Sequence, residues 1–305
     1  MSFLPAVEPK TSTTAPASPV KELVDARVRE VGGITVRRVL PIRAGRGVGP
    51  FVFFDHMGPV GFAPGEGLDV LPHPHIGLAT VTSVLEGEIV HRDSLGSTQA
   101  IRPGDVNLMI AGRGIAHSER TDATARRSPS RLHALQIWVA LPQADEECAP
   151  SFHHHDAATL PLVEDRGVRI RVLAGEAFGF RSPVRTPSPL FYADVDLPAG
   201  GSVDVPGDQD ERAAYVIDGA VRCAAERAGP GRMLVFARGR VVSLAATAPS
   251  RIVLLGGAPL DGPRHIWWNF VSSSRDRLQR AKRDWKAGRF APVAGDEIDF
   301  TPLPE

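Results

Sequence analysis

The chain has 305 residues, 43% of them hydrophobic and 23% charged, with 35 Lys plus Arg against 35 Asp plus Glu. That profile suits a soluble protein of two ordinary domains or one large all-β domain. The zero net charge removes the electrostatic footprint expected of a protein that binds nucleic acid or anionic lipid directly.

Gly (30) and Pro (27) are both frequent, which favours short strands joined by turns over helices. The two cysteines, Cys148 and Cys223, cannot supply a disulfide framework for a chain of this size, so a reducing compartment is expected. No apolar run approaches the ~18 residues needed to span a bilayer. The N-terminus has no uninterrupted apolar core of a signal peptide, so the chain is read as cytoplasmic.

In chain order, residues 1–27 are rich in Pro, Ser, Thr and Ala and are expected to form a disordered extension. A first β domain is predicted over 28–145. Its strand-like runs are FVFFD (51–55), LATVTSVLEG (78–87), EIVHRDS (88–94), VNLMIAG (106–112) and HALQIWVALP (133–142), each bounded by turn residues. Residues 146–188 read as a linker, and a second β domain is predicted over 189–270. TVTSVLEGEIVHRD resembles AAYVIDGAVRCAA, and PGDVNLMIAGRG resembles PGRMLVFARGR, so the halves form a weak internal repeat. The last segment, 271–305, is predicted to hold one amphipathic helix over Ser272–Lys286, with Leu278, Ala281 and Trp285 on one stripe and Gly288 as its stop, followed by a short tail. The fold class is therefore all-β: two tandem β-barrels and a C-terminal helix.

The histidines carry the chemistry. His73 and His75 stand as H-x-H in LPHPHIG, and His117 and Glu119 repeat the i, i+2 spacing in GRGIAHSE. On a strand, residues two apart share a face. A barrel wall can bring the pairs together, and three imidazoles with one carboxylate suit a mononuclear transition metal with positions left for substrate and dioxygen. Ligand type alone permits manganese, nickel, copper, cobalt or zinc as well as iron. At the places in the second half matching these ligands, near Val205 and Gly207 and near Leu244 and Ala246, no residue can bind a metal.

Other residues are less specific. Asp55 and His56 in FFDHMGP fit either a role in orienting a ligand imidazole or an ordinary turn. His91 reads as an ordinary barrel residue, and His133 as either cavity lining or core. FHHHD (152–156) reads as a solvated loop run and not as a metal site. Gly112 and Gly114 lack the strand-to-helix setting of a phosphate loop and are expected to form the turn that delivers His117, with Arg113 exposed between them.

The stretches FFDHMGP, HPHIG, TVTSVLEGEIVHRDSLG, IRPGDVNLMIAGRGIAHSE and LHALQIWVALP resemble the pirin family motif after motif, and LLGGAPLDGPRHIWWNFVSSS resembles the end of the longer bacterial members. The resemblance implies two tandem cupin barrels of jelly-roll type with an iron(II) site in the first only. Matched motif to motif, its ligands are His73, His75, His117 and Glu119. It implies quercetin 2,3-dioxygenase chemistry on a flavonol-like small molecule and dioxygen, with Glu119 as ligand and proton acceptor. The alternative it carries is a metal- or redox-sensing regulator that binds a protein partner. A monomer, with no direct nucleic-acid or membrane contact, is expected.

Overall fold

In a computed structural model, which describes residues 18–304, the chain forms two β-barrels, each a large sheet facing a small one. The large sheet of the first barrel runs in the order Ser151–His155, Val106–Ile110, Leu78–Glu86, Ser130–Ala140, Phe51–Phe62, Ile34–Leu40, Arg27–Val31. Its small sheet runs Asp69–His75, Ile115–Arg120, Ile89–Asp93, Thr98–Ile101. The second barrel repeats this order. Its large sheet is Val20–Asp25, Arg232–Phe236, Glu211–Asp218, Ser250–Gly257, Leu190–Leu197, Val168–Ala177, Leu162–Asp165, with Phe180–Arg181 added beside Val168–Ala177. Its small sheet is Ser202–Asp204, Ser243–Ala246, Val221–Cys223, Glu226–Ala228.

The large sheets lie back to back, so their central strands are buried on both faces. Along Leu78–Glu86, Ala79, Val81 and Ser83 face the other barrel while Thr80, Thr82 and Val84 face the interior of their own, the period of two that a strand imposes. Phe54 packs on Tyr215 with ring centroids 4.7 Å apart, and the Ser83 and Tyr192 hydroxyls are 3.0 Å apart across the same seam. Burying one such aromatic side chain stabilises the seam by roughly 1.5–3 kcal/mol.

Two of the sequence-based boundaries are corrected. Order begins before residue 28: Val20–Asp25 is a strand that crosses to the far edge of the second barrel and pairs with Arg232–Phe236, burying Val20 and Leu23 against that barrel's core. The part of the predicted extension that covers residues 1–17 lies outside the described residues. The segment 146–188 is not a linker. Ser151–His155 closes the edge of the first barrel, and Val168–Ala177 is an inner strand of the second. The short runs in this segment are punctuated by Pro, Asp and Gly, so their pairing is set by distant strands and not by local pattern.

Beyond the second barrel the chain returns to the first. Phe270 bridges Ile76, and the helix Arg275–Lys286 follows, with Ser274 Oγ accepting from the Arg277 amide at 3.3 Å. Leu278 and Ala281 bury against Ile76 and Phe270, as the predicted stripe requires. No helix among the described residues is long and apolar enough to cross a membrane.

Candidate metal centre

The strands Asp69–His75 and Ile115–Arg120 are neighbours in the small sheet of the first barrel, and their register sets His73 directly opposite His117. Both strands are aimed by glycines that no other residue replaces easily. Gly77 ends the first strand at φ +66°, where a Cβ would stand 2.0 Å from the Val271 carbonyl oxygen. Gly112 opens the second at φ +48°, where a Cβ would stand 2.2 Å from the Cys148 carbonyl oxygen.

The three imidazoles converge. Their ring centroids are 4.4 Å (His73–His117), 4.9 Å (His73–His75) and 5.0 Å (His75–His117) apart. One ligand nitrogen from each lies within 4.8 Å of the others. His73 Nδ1 donates to the Leu71 carbonyl at 2.8 Å and His75 Nδ1 to the Asn269 carbonyl at 3.1 Å. A carbonyl can only accept, so each Nδ1 carries the proton and each Nε2 is left with a free lone pair. The Nε2 atoms of His75 and His117 are buried without a hydrogen-bond partner. Orphaned buried nitrogens are costly in a fold, and these converge on one point.

Burial pushes the His73 imidazole down to about 4, and it holds those of His75 and His117 well below the ordinary value. Neutral imidazoles are the form that ligates a metal. The donor set therefore fits a divalent transition metal.

Glu119 follows on the same strand. The pairing slips between His117 and Glu119, so that Glu119 stands opposite Val70 across a bulge at Leu71–Pro72. Its carboxylate accepts from Thr82 Oγ1 at 3.1 Å, and the same hydroxyl is 2.6 Å from Gln136 Oε1. Burial pushes the Glu119 carboxyl up, offset in part by nearby His91 and by the Thr82 bond.

A cleft of about 510 Å³ opens onto His73, His75 and Glu119. Phe53 and Trp138 stack in its wall at 3.9 Å, Trp138 also meets His75 edge-on, and Trp268 and Met57 complete the apolar lining. Arg38 lies over the Phe53 ring and donates twice to Asp55, at 2.7 Å each.

The weaker candidates resolve as follows. Asp55 pairs with Arg38 in the cleft and orients no imidazole. His56, one residue on and so on the opposite face, bonds Tyr215 OH at 2.9 Å and His133 Nε2 at 2.6 Å in the seam between barrels. Burial pushes His56 down to about 3. FHHHD is no loop: residues 151–155 are an edge strand, and His154 Nδ1 meets Asn107 Oδ1 at 2.7 Å. His154 also nears Asp105 and Asp156, but the Asp105 carboxylate already accepts the amides of Arg102 and Ala157. Arg113 is exposed, with its carbonyl held by Arg277 at 2.6 Å, away from the cleft.

Two contributors go beyond the sequence-based expectation: His91, expected to be an ordinary barrel residue, and a segment in which no site residue is expected. His91 Nδ1 lies 3.3 Å from His117 Nδ1, and His91 Nε2 bonds Asp93 Oδ2 at 3.0 Å. Burial would raise Asp93, but hydrogen bonds from His91 and the Ser97 amide outweigh it and hold the carboxyl below its usual range. The signal was present, since His91 and Asp93 stand at the same i, i+2 spacing as the other two pairs. The second contributor is the segment after the second barrel: Asn269 offers its carbonyl to His75, Trp268 lines the cleft at φ +52°, and the Thr301 amide bonds the Pro72 carbonyl at 2.8 Å. Backbone contacts of this kind leave no side-chain pattern to read.

In the second barrel the equivalent register is Val203 opposite Leu244, with Val205 and Ala246 beyond them. One wall thus sits two residues earlier than the repeat suggested, and all four side chains are buried in an apolar core.

Comparison with known proteins agrees with this architecture. Residues 33–139 match the family Pirin, and residues 192–291 match the Pirin C-terminal cupin domain. A pirin-like protein of Caulobacter vibrioides is 50% identical over 284 residues, covering 92% of this chain and 98% of its own. The crystal structure of quercetin 2,3-dioxygenase from Acinetobacter baumannii superposes with a TM-score of 0.86 at 36% identity, covering 93% of this chain and 95% of that one. The bacterial pirin YhhW from Escherichia coli, solved in complex with nickel(II), shares the fold with a TM-score of 0.61 at 20% identity, covering 78% of this chain and 99% of its own. With both of its barrels matched and half of its residues shared with one full-length relative, the chain belongs to the pirin family.

Proposed function

We propose that His73, His75, His117 and Glu119 hold one divalent metal ion, iron(II) on the family likeness, and that the first barrel is a dioxygenase acting on a flat hydroxylated aromatic of flavonol type. The observation that carries this reading is the pair of buried, unpartnered Nε2 atoms of His75 and His117 facing His73 at the floor of an aromatic cleft. The 36% identity to a quercetin 2,3-dioxygenase supports the reaction class.

When bound, such a metal supplies a Lewis acid and a meeting place for dioxygen and substrate. The remaining work belongs to the chain. Phe53, Trp138 and Trp268 offer flat faces to a polycyclic ring, and Met57 fills beside them. In this reading Glu119, steadied by Thr82, also takes the 3-hydroxyl proton. Overall a flavonol and dioxygen give the ring-opened ester and carbon monoxide, with all atoms accounted for.

The test is metal content of anaerobically purified protein together with dioxygen uptake on adding quercetin. About one metal per chain and uptake that falls at least 100-fold in His117→Ala is expected. Metal-loaded protein that consumes no dioxygen with any flavonol refutes the activity.

A further inference from the structure

The three imidazoles are not equivalent. His73 and His75 are backed by neutral backbone carbonyls, Leu71 and Asn269. His117 is backed by a second imidazole, His91, and behind it by the carboxylate of Asp93, which is fully buried. The polarity of this chain follows from its closed end. Asp93 Oδ2 accepts, so His91 Nε2 donates; His117 turns its unpartnered Nε2 to the other ligands, so its Nδ1 carries the proton and His91 Nδ1 accepts it.

Asp93 is itself anchored, with Oδ1 accepting the amides of Leu95 and Ser97 at 2.9 and 3.0 Å. Phe152 lies flat on the His91 ring at 4.3 Å and 11°, which fixes its plane. No part of the chain reaches solvent: His91, Asp93 and His117 are 2%, 0% and 0% exposed.

We infer that Asp93 and His91 are positioning residues that make His117 the strongest electron donor of the set and thereby bias the bound metal toward its higher oxidation state. This rests on the metal site proposed above. A carboxylate behind a ligand imidazole raises its basicity, and here the charge is delivered through one intervening ring in a dry interior, where it is poorly screened. The role is electronic as well as steric. Its site is the only one of the three ligand backings that carries a formal charge.

The experiment compares wild type, Asp93→Asn and His91→Gln in two readouts: the dissociation constant for nickel(II) and the ferric-to-ferrous ratio of the iron-loaded protein poised at fixed potentials. Both variants keep an acceptor at the mutated position, and both remove the relayed charge. Nickel(II) affinity within about 10-fold of wild type is expected, together with a ferric-to-ferrous ratio lowered at least 10-fold, which for one electron is about 59 mV. His91→Gln leaves the Asp93 turn intact, so misfolding of Asp93→Asn does not void the test. An unchanged ratio in His91→Gln, with or without weaker nickel binding, would mean that His91 only packs, and it overturns the inference. Wild type that binds neither nickel(II) nor iron overturns the inference and the metal site together, which separates the two failures.

Discussion

The two barrels share a strand order and differ in what one wall carries. In the first, His73 faces His117 and two buried nitrogens lack protein partners. In the second, Val203 faces Leu244 in the same pairing, and the interior is closed by aliphatic side chains. The buried Arg212 of the second barrel donates through its two terminal nitrogens to the carbonyls of Pro206, Ala237 and Arg240, and only its Nε is left without a partner. The difference teaches that the strand order itself does not require a polar wall, since the second barrel closes the same wall with aliphatic side chains. A site that costs stability and is nevertheless built points to a ligand.

The largest expected effect that separates the barrels is acid sensitivity. His73 and His56 are held neutral in the fold at about 4 and about 3, against 6.5 for the free side chain, and His75 and His117 are also held low. The unfolded chain therefore binds more protons between these values. Stability is fully present above pH 6.5 and is lost as pH falls toward the folded values, by roughly 1.4 kcal/mol per pH unit for each such group. Residues 190–257 contain no histidine. Amide exchange of metal-free protein should show the first barrel losing protection between pH 6.5 and 4.5 while the second keeps it. Simultaneous loss in both would instead mean that the shared seam makes them one cooperative unit.

The next effect exchanges the two walls. Leu244→His removes a buried apolar side chain and leaves an imidazole unpaired in an aliphatic core, which should cost about 3 kcal/mol in urea unfolding. His117→Leu in metal-free protein should change stability far less, by about 1 kcal/mol at most, because it removes the orphaned Nε2 but leaves His91 Nδ1 without its partner. A His117→Leu loss as large as that of Leu244→His would remove the contrast between barrels.

Much of this was legible in the sequence, and the physical reason is period. The i, i+2 spacing of His73 with His75 and of His117 with Glu119 survives any error in strand boundaries, because it fixes a face and not a position. The internal repeat gave the second barrel but misplaced one wall by two residues, since the register there is set by pairing with Ser243–Ala246 and not by the motif. The donation of Val20–Asp25 to the far barrel was hidden because a six-residue edge strand takes its stability from its partner. Asp55 and His56 fit a shared role on motif alone, yet adjacent strand residues face opposite ways, one into the cleft and one into the seam.

The smallest effect concerns the tail, which belongs to one barrel only. Arg120, next to Glu119, donates to both oxygens of Asp296 at 2.7 Å and to Asp69 at 3.1 Å, clamping residues 296–301 onto the bulged strand. The clamp is partly exposed, so Arg120→Ala should lower global stability by only about 1 kcal/mol. Locally it should matter more. Thr301 holds the Pro72 carbonyl at the bulge, and the neighbouring Leu71 carbonyl fixes the His73 ring. Freed of Arg120, the tail should be clipped faster by protease between 288 and 300, and nickel(II) affinity should fall several-fold with the second barrel's exchange unchanged. Faster clipping without any loss of affinity would show that the bulge orients His73 unaided, and that the tail is a cover and not a support.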